Sequence, residues 1–399
     1  MLSDLIASNR KERDDTVARM VRASAARVPA FAARLAAAGL DPAAVRCCAD
    51  LAALPIFGKD QLLPAQRTAP PFGGALAPDA VLRRIFCSPG PLYEPQLAGP
   101  DPWRWATSLT AAGIGPGDRV LNCFSYHLSP AGAMLEEGCL AVGATVIPAG
   151  VGNHDLQVQV AADLGATAYV GLPSYLKALV EKSAESSLPW TIRRALVTLE
   201  PLPDSLRSWL EVHVPVVLQA YGTAEAGLLG YETAPRSGLR VPDGVLVEIC
   251  DLDSGAPHLD ESVGQVVVTL FEPAQPIVRF GTGDLSSFTL GADGSLRLAG
   301  VLGRLDEAVK VRGLFLHPRQ AAAAIDRVPG IVRYRFIVDR LEHQDLLRCE
   351  VVPEPGAHVE ALADRVREQI RAALRLRADV ICVASLPEGK IIVDERDWT

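Results

Sequence analysis

Tyr221, Thr223 and Glu225 set an aromatic face, a hydroxyl and a carboxylate within five residues, in the stretch Ala220-Tyr221-Gly222-Thr223-Ala224-Glu225-Ala226-Gly227. A base can stack on such a ring, the hydroxyl can donate to a phosphate oxygen, and the carboxylate can hold a divalent cation. The same string also reads as an ordinary loop. Arg279-Phe280-Gly281-Thr282-Gly283-Asp284 ends in an aspartate that either accepts both hydroxyls of a ribose or caps a turn. Gly303-Arg304-Leu305-Asp306 pairs a guanidinium with a carboxylate, for a ligand or as a surface ion pair. Lys390 lies in a terminal loop. It is one of only six lysines among the 39 Lys and Arg, the others being Lys11, Lys59, Lys177, Lys182 and Lys310, so each lysine invites a question about its role.

These side chains need a frame. The apolar run Val214 to Leu218 reads as a buried strand that leads into the Tyr221–Glu225 turn. Upstream, strands at Asp118 to Ser125, Ala144 to Pro148, Ala168 to Gly171 and Leu196 to Thr198 alternate with helices. The helices are Trp103 to Gly113, Ala131 to Val142, Gln157 to Leu164, Pro173 to Lys182 and Asp204 to Val212. Such alternation predicts a parallel sheet covered by helices. Residues Asp15 to Leu40 have helical spacing ended by Gly39, Leu51 to Leu63 reads as a turn between helices, and Ile85 to Pro95 reads as a loop. From Val245 short strands (Val245–Glu248, Gly264–Leu270, Ile277–Phe280) predict a small β region. A closing α+β block follows, with helices at Arg319 to Val328 and Val359 to Leu376 and strands at Val332 to Val338, Leu346 to Val352 and Asp379 to Val383. The boundary falls near Gly303 to Glu307, giving domains 1–302 and 303–399.

At 399 residues the chain is long enough for two or three cores. A net charge of −8 with no basic run argues against nucleic acid or an anionic membrane as partner. The eight cysteines show no C-x-x-C spacing and sit mostly in apolar runs, so reduced thiols and a cytoplasmic setting are expected. Met1 to Arg13 is too polar for a signal peptide. The most apolar region, near Ala131 to Ala149, carries Glu136 and Glu137 and is not a membrane span.

Leu54-Pro55-x-x-x-Lys59, the segment Gly117–Gly152, Tyr221–Glu225, Thr282-Gly283-Asp284, Gly303-Arg304 and Lys390 occur in one order. With Ala-Val-Gly-Ala-Thr-Val-Ile-Pro-Ala-Gly (141 to 150), Gly-Leu-Pro-Ser-Tyr-Leu (171 to 176) and the closing Val-Asp-Glu-Arg, the chain resembles the adenylate-forming superfamily, and in it the phenylacetate–coenzyme A ligase-like branch. The resemblance runs from about Asp15 to Arg396. It implies an α/β fold: a large N-terminal adenylate-forming domain with parallel helix-covered sheets and a small β region, plus a small mobile α+β C-terminal domain. It implies an AMP-forming reaction that uses ATP, Mg²⁺ and coenzyme A to turn a carboxylic acid, an aromatic one by preference, into an acyl-adenylate and then a thioester.

The resemblance also implies roles. Lys390 would neutralise charge at the α-phosphate, because carboxylate attack brings two anions together. Thr223 would bond that phosphate, Glu225 would hold Mg²⁺, and Tyr221 would lie against adenine, with Gly222, Glu200 and Pro201 bordering the nucleotide. Asp284 would take the ribose hydroxyls, Arg304 ribose or phosphate, Gly313 the coenzyme A side, and Asp306 would be the hinge. Phe124, Tyr126, His127 and Ala131, with Gly150 and Gly222, would line the acid pocket. The small acid, ATP and coenzyme A are the implied partners, and the reading is compatible with a homodimer.

One stretch departs from the family. Its phosphate loop is rich in Ser, Thr and Gly and ends in Lys-Pro, whereas Ser88-Pro89-Gly90-Pro91-Leu92-Tyr93-Glu94-Pro95 stands here. Pro89 and Pro91 have no N–H for a phosphate, and Glu94 takes the place of the lysine. A like charge about 4 Å away at an effective dielectric of about 20 costs about 4 kcal/mol before screening. A second Mg²⁺ at Glu94, or an arginine from elsewhere, would offset it. Thr198-Leu199-Glu200-Pro201 likewise lacks the family's small glycine before Glu-Pro. The alternative function is therefore a non-catalytic or repurposed relative that binds a nucleotide or an acyl-adenylate.

Overall fold

The computed structural model describes residues 2–88, 91–305, 309–312, 314–316, 318–342, 344–374 and 376–396. Asp306 and Gly313, named above as hinge and coenzyme A residue, lie outside them. The chain divides into two compact units, Met1–Leu199 with Ser208–Leu305, and Glu200–Arg207 with Asp306–Thr399. The short segment Glu200–Arg207 thus groups with the second unit, although it lies within the stretch 1–302.

Two strands, β1 (Leu82–Ser88) and β2 (Leu92–Leu97), open the first unit's β structure as an antiparallel pair, with Phe86 opposite Glu94 and Ile85 opposite Pro95. This corrects the loop expected at Ile85 to Pro95. Alternation decides it: Leu92, Glu94 and Gln96 all point inward, and a proline is tolerated in a pair whose outer edges carry no further strand. The main sheet follows: β3 (Arg119–Asn122), β4 (Thr145–Ile147), β5 (Ala168–Gly171), β6 (Arg194–Val197), β7 (Val216–Thr223) and β8 (Gly227–Tyr231). Its order is β4-β3-β5-β6-β7-β8, parallel except for β8. Helices Ala131–Ala141 and Pro173–Glu185 pack on it, and its core includes Trp105, Leu109, Val120, Val170 and Leu218. Short strands without polar interruption signal burial on both faces, as the sheet shows.

A second sheet of order β14-β11-β10-β9 is built from β9 (Val245–Cys250), β10 (Gly264–Leu270), β11 (Phe280–Ser286) and β14 (Gly303–Arg304), all antiparallel. The hairpin β12 (Phe288–Leu290) and β13 (Leu296–Leu298) lies between them in sequence. Here Thr282-Gly283-Asp284 is mid-strand rather than in a tight turn, so turn capping is excluded for Asp284. The helical stretch Asp15 to Leu40 is two helices, Asp14–Arg27 and Pro29–Ala37. Val28 is held extended before Pro29, as the residue before a proline prefers.

The second unit holds the hairpin β15 (Val309–Val311) and β16 (Leu314–Leu316), then β17 (Ile331–Leu341), β18 (Gln344–Pro353), β19 (Asp379–Cys382) and β20 (Ile392–Asp394). The last four form one sheet of order β19-β18-β17-β20, with both edge strands parallel to their neighbours. Helices Pro318–Ile325 and Val359–Leu374 cover it over a core that includes Phe336, Leu347, Val366 and Ile370. Strand β20 was not foreseen. Among the described residues no helix is long and apolar enough to cross a membrane, and the eight cysteines are free thiols.

Candidate functional site

Strands β3, β4 and β7 run parallel, so the segments that follow them gather at one edge of the main sheet, where open α/β sheets bind ligands. Tyr221, Gly222 and Thr223 belong to β7 itself, and the turn before β8 contains only Ala224, Glu225 and Ala226. The strand therefore extends further than the sequence suggested. Thr223 Oγ1 accepts from the Ala226 N–H at 3.1 Å, and Arg104 donates to the Ala226 carbonyl. Both bonds fix the turn, and the Thr223 O–H remains a donor. Gly222 is required by packing: a Cβ there would lie 2.5 Å from the Gly227 carbonyl oxygen and 2.9 Å from the Trp105 ring.

The Tyr221 phenol donates to Asp284 Oδ2 at 2.8 Å, with the Thr282 hydroxyl 3.2 Å from the phenol oxygen. On the other side of Asp284, Oδ1 is 3.5 Å from Arg304, its direct partner across β11 and β14. Burial, and then the Asp284 charge, push the Tyr221 pKa well above its ordinary value. Tyr221, Asp284 and Arg304, far apart in sequence, are thus one contiguous polar cluster joining the two sheets of the first unit.

A second cluster surrounds Glu225. Lys59 Nζ lies 2.6 Å from Glu225 Oε1; the Glu225 side chain is buried, whereas that of Lys59 is 44% exposed. Lys59 starts the helix Lys59–Thr68, and the residues before it bind β11 through Phe57 N–H to the Arg279 carbonyl and Gly281 N–H to the Phe57 carbonyl. The expected turn at Leu51 to Leu63 is thus a short 3-10 helix (Cys48–Ala53), an extended bridge and the start of this helix. Gln66, on the same helix, clamps Tyr93 of β2 with two 2.8 Å bonds, one to its carbonyl and one from its N–H.

That clamp brings Glu94 to the same place. Glu94 is 7% exposed, and its carboxylate oxygens, like those of Glu225, are buried without a hydrogen bond. Glu94 and Glu225 both line a pocket of about 70 Å³ whose other walls include Phe57, Phe72, Leu92 and Phe280. Burial first, and then the Glu225 charge, push the Glu94 pKa up to about 8; nearby Ser88 and Lys59 oppose the shift, although Ser88 makes no well-formed hydrogen bond to it. For Lys59, burial lowers the pKa but the Glu225 charge outweighs it, so the net direction is upward. The cation near Glu94 is thus a lysine from a distant segment, paired with Glu225 and too weak in its pull on Glu94 to reverse the upward shift. Its sequence signals were the scarcity of lysine and the Leu-Pro-x-x-x-Lys string, neither of which assigned it a partner.

The loop after β3 carries the residues expected at the acid pocket. Buried Asn122 organises it: Nδ2 donates to the Tyr126 hydroxyl and to the Gly132 carbonyl, both at 2.8 Å, and its backbone carbonyl accepts from Gly150 N–H at 3.0 Å. Phe124 is buried in the main core, and Ala131 begins the helix beside it. Burial, then Glu136, raise the Tyr126 pKa. His127 N–H meets Ser125 Oγ at 3.3 Å. Asn122 was not singled out from the sequence; an asparagine ending a buried strand was its only signal. Lys390, Glu200 and Pro201 fall in the second unit. There Arg333 holds the loop before Lys390 through the Leu386 and Pro387 carbonyls, at 3.5 and 3.3 Å.

The family model for AMP-binding enzymes matches residues 103–269. A phenylacetate-coenzyme A ligase from Thermus thermophilus is 29% identical, over 95% of this chain and 92% of the relative. One from Pseudomonas putida is 30% identical, over 73% of this chain and 70% of the relative. A solved 2-hydroxyisobutyryl-CoA ligase, in complex with 2-HIB-AMP and CoA, shares the fold with a TM-score of 0.85 at 22% identity, covering 97% of this chain and 90% of that one. The chain belongs to the adenylate-forming superfamily, in its phenylacetate–coenzyme A ligase-like branch. As a ligase of that superfamily it is of the class that activates an acid as its acyl-adenylate.

Proposed function

We propose that the chain joins an aromatic carboxylic acid to ATP, releasing pyrophosphate, and then passes the acyl group from the adenylate to the thiol of coenzyme A, releasing AMP and a proton. The observation that carries this reading is the polar edge formed in one unit by Thr223, the Glu225 turn and the Tyr221–Asp284–Arg304 cluster. Asp284 accepts the ribose hydroxyls while Tyr221 and Arg304 hold it in place. Thr223 donates its hydroxyl to the α-phosphate, and Lys390 is the cation assigned to the charge that develops there. The buried Glu225 carboxylate suits Mg²⁺, which would supply charge neutralisation at the phosphates when bound. The aromatic preference is supported by the names of the similar ligases and by Phe124 and Tyr126 in the loop after β3. Asp306 as hinge, Gly313 at the coenzyme A side, Glu200 and Pro201 beside adenine, and a mobile second unit belong to the same proposal.

The buried Glu94 favours a second reading, a relative that binds an adenylate without making one. ATP–pyrophosphate exchange over a panel of aryl and short-chain acids separates the two. Exchange that is lost in Lys390→Ala supports the ligase. Adenylate binding without exchange, for any acid, supports the second reading.

A further inference from the structure

Two carboxylates line the Glu94 pocket, the Lys59 ammonium pairs with only one of them, Glu225, and the wall around them supplies little else that is polar. Glu94 is more than nine-tenths buried, neither of its oxygens accepts a hydrogen bond, and it lines the same pocket as Glu225. Lys59 is within ion-pair distance of Glu225. A buried carboxylate without donors costs several kcal/mol unless it takes up a proton, as the raised Glu94 pKa allows, or a cation reaches it in the proton's place. The pocket, at about 70 Å³, is several times the roughly 10–15 Å³ that one water needs on the same measure, so a hydrated cation has room to enter. Hard divalent cations take oxygen ligands, and Mg²⁺ commonly uses one or two carboxylates and completes its shell with water. Among the described residues no group of three or more His, Cys, Asp or Glu gathers to hold a metal, so a seat here has two protein ligands.

We propose that Glu94 and Glu225 together form a divalent-cation seat that loads before any nucleotide arrives, the cation displacing the Lys59 ammonium toward solvent. Lys59 can leave although its ammonium is desolvated beside Glu225, because 44% of the side chain is exposed and the stem is flexible at the start of a helix. The seat rests on and deepens the reading of Glu225 as the metal-holding residue, and it adds Glu94, which stands where the resemblance places the lysine of the phosphate loop. It also reverses the meaning of that replacement. The loop meets phosphate through a metal rather than through an ammonium.

The test is Mn²⁺ binding to the full chain, stripped with chelator and free of nucleotide, read by loss of the free-Mn²⁺ EPR signal. The expected result is one ion per chain, with Glu94→Gln and Glu225→Gln each weakening binding at least tenfold and Lys59→Ala tightening it severalfold. Thermal melts check that each variant is folded, and the opposite sign for Lys59→Ala cannot come from unfolding. Absence of bound Mn²⁺ at millimolar concentrations overturns the seat, as does a Glu94→Gln protein that binds like the parent. Pyrophosphate exchange measured on the same samples keeps the two readings apart. Exchange without nucleotide-free Mn²⁺ binding removes the seat and leaves the ligase; binding without exchange does the reverse.

Discussion

The Tyr221 hydroxyl donates to Asp284 Oδ2 at 2.8 Å, and this bond ties the end of β7 to the middle of β11. The aromatic side chain proposed to lie against adenine is therefore also a brace for the acid proposed to hold ribose. Tyr221→Phe keeps the ring and removes the brace. A hydrogen bond to a charged group contributes about 1.5–3 kcal/mol, and urea unfolding should show a loss of that size. AMP affinity should fall as well, since Asp284 loses one of its two named anchors. Calorimetry on the variant checks this; unchanged affinity would mean that Asp284 is positioned without the phenol.

Gly222 sits where no side chain fits. Ala at this position would bring its Cβ to 2.5 Å from a backbone oxygen, which cannot rotate away, and to 2.9 Å from Trp105. Gly222→Ala should cost about 1–3 kcal/mol through overpacking. The β7–β8 turn should shift with it, so exchange activity is expected to fall more steeply than stability.

Asp101 gives a pH dependence. Its carboxylate accepts from the N–H groups of Trp105 and Ala106, capping the helix that presents Trp105 to Gly222. Burial nevertheless dominates and pushes its pKa up to about 6. The folded chain thus holds this proton longer than the unfolded chain. The stability it contributes is complete below about pH 4 and is lost as pH rises towards 6. Asp101→Asn removes the titration. Relative to the parent, the variant should gain between pH 4 and 6, by no more than about 1.4 kcal/mol per pH unit, with no further change above 6.5. Denaturant midpoints across that range test the sign.

In the second unit Asp345 accepts from Arg312 N–H at 3.0 Å and forms an ion pair with Arg396 at 3.2 Å. It joins Arg312, just after β15, to Arg396, two residues beyond β20. Removing one partner of a buried pair costs about 3–5 kcal/mol. Asp345→Ala should therefore raise hydrogen exchange in β15, β16 and β20 together, while the first unit's β3 to β7 stay protected.

The alternating strands and helices from Arg119 to Thr223 were legible because both faces of a parallel sheet are buried, which leaves short apolar runs between helices. The strings at Tyr221–Glu225, Asp284 and Arg304 stood out because each carries its polar groups close together in sequence. Less visible were features decided by pairing at a distance. Pro95 and Glu94 look like loop residues until β1 lies beside them, and Thr282-Gly283-Asp284 looks like a turn until β10 and β14 flank it. Lys59 showed scarcity but not its partner, since no sequence rule places the start of one helix against a turn so far downstream.

The pair of hydrogen bonds between the Gln66 amide and the Tyr93 backbone has a mechanical consequence. The helix bearing Lys59 and the strand bearing Glu94 are stapled one residue from the acid, so their backbones travel as one piece. An incoming guest cannot open the cavity by sliding the two apart. Admission of a cation, as proposed, would instead draw on the Lys59 side chain, whose exposed stem can swing while the two backbones stay fixed.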